Sequence, residues 1–168
     1  MTARIRALGH DDIAALQAID RAAHGEAWST AAFVDQIDRP NFTHLVATID
    51  GDPAAHAASW RDGAELRIIN VAADPAHAGR GLATRLLLTL LDGADADRVV
   101  LEVRPDNRRA QRLYGRFGFV PAGIHRNFYD RGDGRGSRDA LVMVIDGTDD
   151  AFHQRLNQLH QQIEQEAA

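Results

Sequence analysis

Residues 73–86 read ADPAHAGRGLATRL, and they join an apolar, strand-like run to a leucine-rich helix through two glycines flanking an arginine. Gly79, Gly81 and Ala83 fall at the mouth of that helix. Side chains this small leave backbone amides uncovered, and the amides of a first helical turn have no partner within the helix. The helix dipole adds positive potential there, and Arg80 and Arg85 add formal charge. A loop of this kind receives an anion, a pyrophosphate above all. A turn with no ligand would also call for glycine, so the loop alone leaves both readings open.

Upstream of the loop, THLVATID, AAHAASW and AELRIINVAA are punctuated by the turn signals DGDP and RDG, which predicts an antiparallel meander. RIRAL predicts a short first strand. Asp11 or Asp12 is placed to cap a helix with Ile13, Leu16 and Ile19 on one face. Ser29 is placed to cap a second helix, WSTAAFVDQI, with Phe33 and Ile37 inward. Downstream, LATRLLLTLL predicts a helix stopped by Gly93, and RVVLEV a strand. NRRAQRLYGRF predicts a helix capped by Asn107 and ended by Gly118, with Ala110, Leu113, Tyr114 and Phe117 on one face. FVPAGIHRNFY and DALVMVID predict two closing strands around a glycine-rich loop, Gly132 to Gly136. Helices and strands mix without strict βαβ alternation. The fold class is therefore α+β, a central mixed and mostly antiparallel sheet flanked by helices.

A linker, GTDD, leads to an extra C-terminal helix from Phe152 to Gln165, so residues 1–147 are expected to form the main domain and 148–168 a helical extension. Phe152, Leu156, Leu159 and Ile163 recur at 4-3-4 spacing along it. Such a seam either packs back on the domain or pairs with a second copy in a homodimer.

A chain of 168 residues suits one domain with a real core. With no cysteine it has no disulfide, no thiolate zinc site and no cysteine acyl-enzyme, which fits a reducing cytoplasm. All 19 basic residues are arginine, so neither a Schiff-base lysine nor a P-loop lysine exists. No apolar run reaches membrane-spanning length, and MTARIRALGHDD lacks the apolar centre of a signal peptide. A net charge of −5 disfavours nonspecific nucleic-acid binding. Between Arg80 and Arg116 eight arginines face five acids, so that window carries +3 and the remainder −8. One basic zone on an acidic body suits an anionic ligand bound in one place and a cationic partner elsewhere. The eight histidines show no ligand spacing, and DRGDGRG is too poor in acids for a calcium loop, so no metal is expected.

Two nucleotide motifs fit the loop poorly. A dinucleotide fingerprint wants glycine or alanine at position 84, where Thr84 stands, and a tight turn directly off the strand, where ADPAHA intervenes. The missing lysine rules out a P-loop. By contrast, NVAADPAHAGRGLATRLL resembles the acetyl-CoA loop of the GNAT superfamily of acetyltransferases. Its pattern, Gln/Arg-x-x-Gly-x-Gly/Ala, is matched by Ala78-Gly79-Arg80-Gly81-Leu82-Ala83, except that Ala78 stands at the first position. LEVRPDNRRAQRLYGRFGFVPAGIHRNFY, DALVM and AHGEAWSTAAF resemble the RimI-type N-terminal acetyltransferases, over about Ile5 to Ile145. Phe128-Tyr129 departs from that group's Tyr-Tyr pair, and Arg138-Asp139 from its Glu-Asp; both lie where the group binds its peptide.

The resemblance implies a GNAT-like fold and acetyl-CoA as cosubstrate. It implies a coenzyme site of Val71, Ala72 and Ala73 for the pantetheine arm, with Gly79, Arg80, Gly81, Leu82, Ala83 and Thr84 for the pyrophosphate and Asn107 alongside. Trp28, Arg126 and Tyr129 would line the peptide entrance, although core packing would equally explain Trp28. The acceptor it implies is the N-terminal α-amine of a ribosomal-protein-like partner with a small first residue such as alanine. Two other readings stay open: a small-molecule amine acetyltransferase on the same fold, and a non-catalytic acyl-CoA-binding module.

Transfer of acetyl to an amine requires a base for the amine proton, a donor for the developing oxyanion and an acid for the departing thiolate. Without cysteine, and with Ser29, Ser59 and Ser137 outside any nucleophile elbow, direct attack in a ternary complex is favoured over an acyl-enzyme. Glu102 interrupts an otherwise apolar strand, where partial desolvation favours a base; a solvated strand end or a pairing with Arg104 would account for it too. Tyr114, twelve residues on, is a candidate acid, since a phenol is protonated at neutral pH. A core aromatic at helical spacing is the other reading. The resemblance implies that Glu102 and Tyr114 are the catalytic pair, and a binding module would need neither.

Overall fold

The computed structural model describes residues 3–129 and 138–167. The expected glycine-rich loop from Gly132 to Gly136 lies outside the described residues. Seven strands hydrogen-bond in the order β1-β2-β3-β4-β5-β7-β6. The chain divides into two compact units, Met1–Arg61 with Ile69–Leu91, and Asp62–Ile68 with Asp92–Ala168; strand β4 runs from the second into the first.

The first unit holds β1 (Ala3–Ala7), α1 (Ile13–His24), α2 (Thr30–Ile37), β2 (Phe42–Ile49), β3 (Asp52–Asp62), the second half of β4 (Glu65–Ala73) and α3 (Leu82–Leu91). β2 and β3 pair antiparallel across the DGDP turn, as that signal predicts, and β1 pairs antiparallel with the other edge of β2. Leu8, Ile13, Leu16, Phe33 and Val46 form a buried cluster against which Trp28, Val34 and Ile37 pack. Ser29 caps α2, its hydroxyl accepting from the Ala32 amide at 3.1 Å. The expected aspartate cap of α1 differs. Asp12 stands at the N-cap position, but its carboxylate is engaged by Arg6 at 2.6 and 2.8 Å and by the Gly9 amide at 2.8 Å. A bidentate arginine outcompetes a single amide for one carboxylate, and a 3-10 turn at His10–Asp12 leads into the helix instead.

The second unit holds the first half of β4, β5 (Arg98–Val103), α4 (Arg108–Phe117), β6 (Val120–His125), β7 (Ala140–Asp146) and α5 (Asp150–Ala167). β4 and β5 pair parallel; β5, β7 and β6 pair antiparallel, which makes the sheet mixed. Asn107 caps α4 by accepting from the Ala110 amide at 3.0 Å, and Gly118 ends it at φ +98°. Phe152, Leu156, Leu159 and Ile163 of α5 are all buried within the single chain. The 4-3-4 seam thus packs on the chain that carries it, and the apolar stripe is not left over for a second copy. The GTDD linker is anchored: the Gly147 amide donates to Asp97 at 2.8 Å, and Thr148 exchanges hydrogen bonds with Ala96.

A buried polar chain crosses the first unit. Gln36 Oε1 meets His44 Nδ1 at 2.9 Å, His44 Nε2 meets His56 Nδ1 at 3.0 Å, and His56 Nε2 meets Asp20 Oδ1 at 2.9 Å. Asn70 on β4 donates to the same Asp20 oxygen at 3.0 Å. Polar groups this deep are tolerated because all but Asp20 Oδ2 find a partner, and the chain ties α2, β2, β3, α1 and β4 into one arrangement. Burial, then the neighbouring His56, pushes His44 down to about 3, so it is neutral in the fold at neutral pH. Between its ordinary 6.5 and about 3, the unfolded chain binds a proton at this side chain that the folded chain refuses. Stability therefore falls as pH falls through that window, by up to about 1.4 kcal/mol per pH unit for one proton. Asp12, held below its ordinary 3.8 chiefly by the Arg6 hydrogen bond, loses its contribution only at more acid pH. Urea unfolding should show stability lost on acidification from about pH 7 to about pH 4.5, and His44→Gln should flatten that slope. An unchanged slope in the variant would place the titrating group elsewhere.

Candidate active site

The coenzyme residues expected from the sequence all lie in the first unit, apart from Asn107. Val71 and Ala73 are half-buried at the end of β4 and Ala72 is buried. The strand is held there by the Asp74 amide donating to the Ala54 carbonyl at 2.9 Å. Asp74 then caps a 3-10 turn, Pro75–His77, by accepting from the Ala76 amide. Gly79 and Gly81 follow at φ +80° and +70°. Both values lie in the left-handed region, where a side chain is strained. A Cβ at either position would meet no atom within 4 Å, so the glycines serve conformation, and the space above them stays open. α3 starts immediately after, at Leu82, and its first-turn amides have no intrahelical partner. Leu82 and Thr84 turn their side chains into the core, so only their backbone is offered to a ligand; Arg80 is exposed and Ala83 half-buried.

Trp28, expected at the peptide entrance, is half-buried. Its ring lies 5.6 Å from that of Phe33 and 6.4 Å from that of His44, and its carbonyl accepts from Gln17. The core-packing reading of Trp28 is therefore realised, with part of the indole still accessible.

The catalytic candidates lie in the second unit. Parallel pairing of β4 with β5 sets Arg67 opposite Val100, on the face that Glu102 shares. The Glu102 side chain is 8% exposed and accepts a hydrogen bond from Arg67 Nη2 at 2.7 Å; the other Arg67 nitrogen reaches Glu65 at 2.6 Å. The expected desolvation is present. The expected alternative partner, Arg104, is not the one that pairs; its guanidinium stacks over the Tyr129 ring at 3.9 Å. His125 Nδ1 approaches Glu102 Oε1 at 3.6 Å, with its own side chain 53% exposed. Neither Arg67 nor His125 is singled out by the sequence. The alternation Glu65-Leu66-Arg67-Ile68 does carry the signal of a polar strand face beneath Glu102; nothing local marks His125.

Tyr114 on α4 is buried, its ring edge-on to Phe119 at 5.9 Å. Burial, then the neighbouring Tyr129, pushes its phenol well above the ordinary tyrosine value. Asn107 spends its side-chain oxygen on the α4 cap. Arg126 is exposed and faces Asp139 at 3.6 Å, and Asp139 accepts from the Asn127 amide at 2.9 Å. Tyr129 is half-buried, and its amide donates to the Arg138 carbonyl. Arg138-Asp139, which departs from the RimI-type pattern, thus supports the segment that carries Arg126 and Tyr129.

One unit thus holds a left-handed glycine loop that opens onto α3, and the other an enclosed carboxylate and a buried phenol. The chain belongs to the GNAT family of acetyltransferases, whose family model matches residues 13–119, and it is by that membership an acetyl-CoA-dependent N-acetyltransferase. Among its relatives is the ribosomal protein bS18-alanine N-acetyltransferase of Escherichia coli (strain K12), 33% identical over 144 residues, covering 84% of this chain and 95% of that one. The crystal structure of the E. coli ribosomal-protein-S18-alanine N-acetyltransferase superposes with a TM-score of 0.75 at 31% identity, over 86% of this chain and 93% of that one. That of Ard1 from Thermoplasma volcanium gives 0.74 at 26% identity, over 86% and 97%. Among the described residues no helix is long and apolar enough to cross a membrane.

The raised phenol alters the pH profile expected of an acid at this position. An ordinary tyrosine would begin to lose its proton near pH ~10 and pull kcat down there. Tyr114 keeps its proton past that range, so kcat should hold a plateau through pH ~10. A fall centred near pH ~10 that vanishes in Tyr114→Phe would show that the phenol titrates normally.

Proposed function

We propose that the protein transfers acetyl from acetyl-CoA to the N-terminal α-amine of a protein, a ribosomal-protein-like acceptor with a small first residue such as alanine. The observation that carries this reading is the match to the E. coli bS18-alanine N-acetyltransferase across 84% of this chain and 95% of that one. The charge distribution supports it: an overall charge of −5 attracts a basic N-terminal tail. Such an acceptor is met in the cytoplasm. Residues 1–147 would carry the transferase and 148–168 its helical extension.

In this reading the Gly79–Gly81 turn and the start of α3 receive the pyrophosphate on backbone amides, with Arg80 adding charge. Val71, Ala72 and Ala73 lie strand-fashion along the pantetheine arm, and Asn107 contacts the coenzyme with the part of its amide that the cap does not use. Trp28, Arg126 and Tyr129 face the peptide. Attack is direct, because the chain has no cysteine to form an acyl-enzyme. Glu102 serves as general base for the ammonium, and Tyr114 as general acid for the thiolate. Burial keeps the Tyr114 phenol protonated throughout the neutral range, so a hydroxyl donor is present when the thiolate departs.

An Ala-initiated basic peptide should gain an acetyl group on its α-amine, and the same peptide with a blocked N-terminus and free lysines should gain none. Modification of the blocked peptide would mark a side-chain enzyme. Turnover of small amines in preference to both would mark a small-molecule enzyme. Glu102→Gln should reduce kcat by ~10²–10³ with acetyl-CoA binding nearly unchanged, the scale of lost general-base assistance. A variant that keeps near wild-type kcat would remove Glu102 from the base role.

A further inference from the structure

β7 separates β5 from β6, so the register of both ladders decides which β6 side chains share the face of Glu102. Glu102 pairs with Val142 on β7. On the other side of β7, Val120 pairs with Val144 and Pro121 with Met143, but Gly123 takes Val142 and His125 takes Ala140. In an unbroken ladder Ala122 would stand opposite Val142, and Ile124 opposite Ala140. The irregularity between Pro121 and Gly123 inverts the parity of β6 beyond it. It brings His125 onto the face of Glu102 and turns Ile124 away.

The outcome is an unequal pair. Glu102 is the buried member, and its Oε1 is already charge-compensated by Arg67 at 2.7 Å. His125 is the exposed member, with Nδ1 at 3.6 Å from that same oxygen and Phe128 packed against its ring at 5.0 Å. A carboxylate so enclosed is poorly placed to meet an incoming ammonium. An imidazole in front of it presents Nε2 outward and Nδ1 toward the carboxylate, the order in which a carboxylate orients a histidine base. The 3.6 Å gap exceeds a hydrogen bond, and the exposed ring has room to rotate; catalytic contacts are commonly this long before a substrate is bound.

We propose that His125 is a second member of the catalytic base: its Nε2 takes the proton from the acceptor's ammonium, and Glu102 holds Nδ1–H and stabilises the imidazolium. This rests on the acetyl-transfer reading above and divides the work assigned to Glu102 between two groups. The step balances. The ammonium gives one proton to Nε2, the freed lone pair forms the N–C bond, and the C–S bond breaks. The thiolate takes the Tyr114 phenol proton, and Tyr114 regains one from the nitrogen as it becomes an amide. The imidazolium returns its proton to solvent, so one proton is released per turnover.

The test measures kcat and both KM values for His125→Asn, His125→Ala, Glu102→Gln and the His125→Asn/Glu102→Gln double variant, on an Ala-initiated basic peptide. Matching melting temperatures establish that each is folded. His125→Asn keeps a donor toward Glu102 but no proton acceptor, and it should lose ~10²-fold or more in kcat with both KM values within about threefold. Free imidazole should restore part of the rate of His125→Ala, and the double variant should be little slower than the slower single variant, as for groups that act as a unit. If His125→Asn keeps near wild-type kcat while Glu102→Gln loses it, the inference falls and Glu102 stands as the sole base. If both keep it, the base reading itself falls. A loss in His125→Ala that imidazole does not relieve marks a structural role and overturns the inference.

Discussion

A carboxylate on a strand of valines and leucines has to be charge-compensated, and among the described residues Arg67 does this for Glu102. Arg67 reaches it at 2.7 Å from the parallel neighbour strand and is itself steadied by Glu65. Without Arg67 the charge at 8% exposure would stand uncompensated, at a cost of several kcal/mol. The parallel register of β4 on β5 requires a connection too long for a hairpin, and the chain supplies one that includes α3. The same register sets Arg67 and Glu102 on one face. The chemistry of the second unit is therefore a consequence of strand pairing before it is a matter of any one side chain.

The first unit solves a different problem. Its glycine turn needs left-handed backbone at Gly79 and Gly81, and that conformation is held from both sides, by the Asp74-capped turn before it and by α3 after it. The buried chain from Gln36 through His44 and His56 to Asp20 ends on Asn70, one residue before the Val71–Ala73 segment. A strand fixed by a side-chain bond in the core keeps its backbone groups in place for a ligand, and this is a form of preorganisation. The neutral state of His44 is part of the arrangement, because burial penalises a charge at that depth by more than Asp20 and Asp12 offset.

Much of this was legible in the sequence because it is written in local rules. The caps at Ser29 and Asn107, the stop at Gly118, the two glycines before a leucine helix and the 4-3-4 seam of α5 each depend on residues within one or two turns of one another. Local chemistry sufficed there, since backbone conformation and face periodicity are properties of short segments. It failed at Asp12, where a strand residue six positions earlier took the carboxylate from the helix it was expected to cap.

What the tertiary structure alone decided is which charged and polar groups meet. Arg67, rather than Arg104, pairs with Glu102, because the parallel ladder brings residues 35 apart together while Arg104, one residue past the end of β5, lies over the Tyr129 ring. His125 reaches Glu102 only through a one-residue slip in β6, and nothing in GIHRN announces it. Gln36, His44, His56, Asp20 and Asn70 come from five elements, and no periodicity within any of them foretells the others. The sequence by itself determined most of the elements, the glycine loop before α3 and the family resemblance. The fold determined the partners, because hydrogen bonds and ion pairs act over ångströms of space and not along the chain.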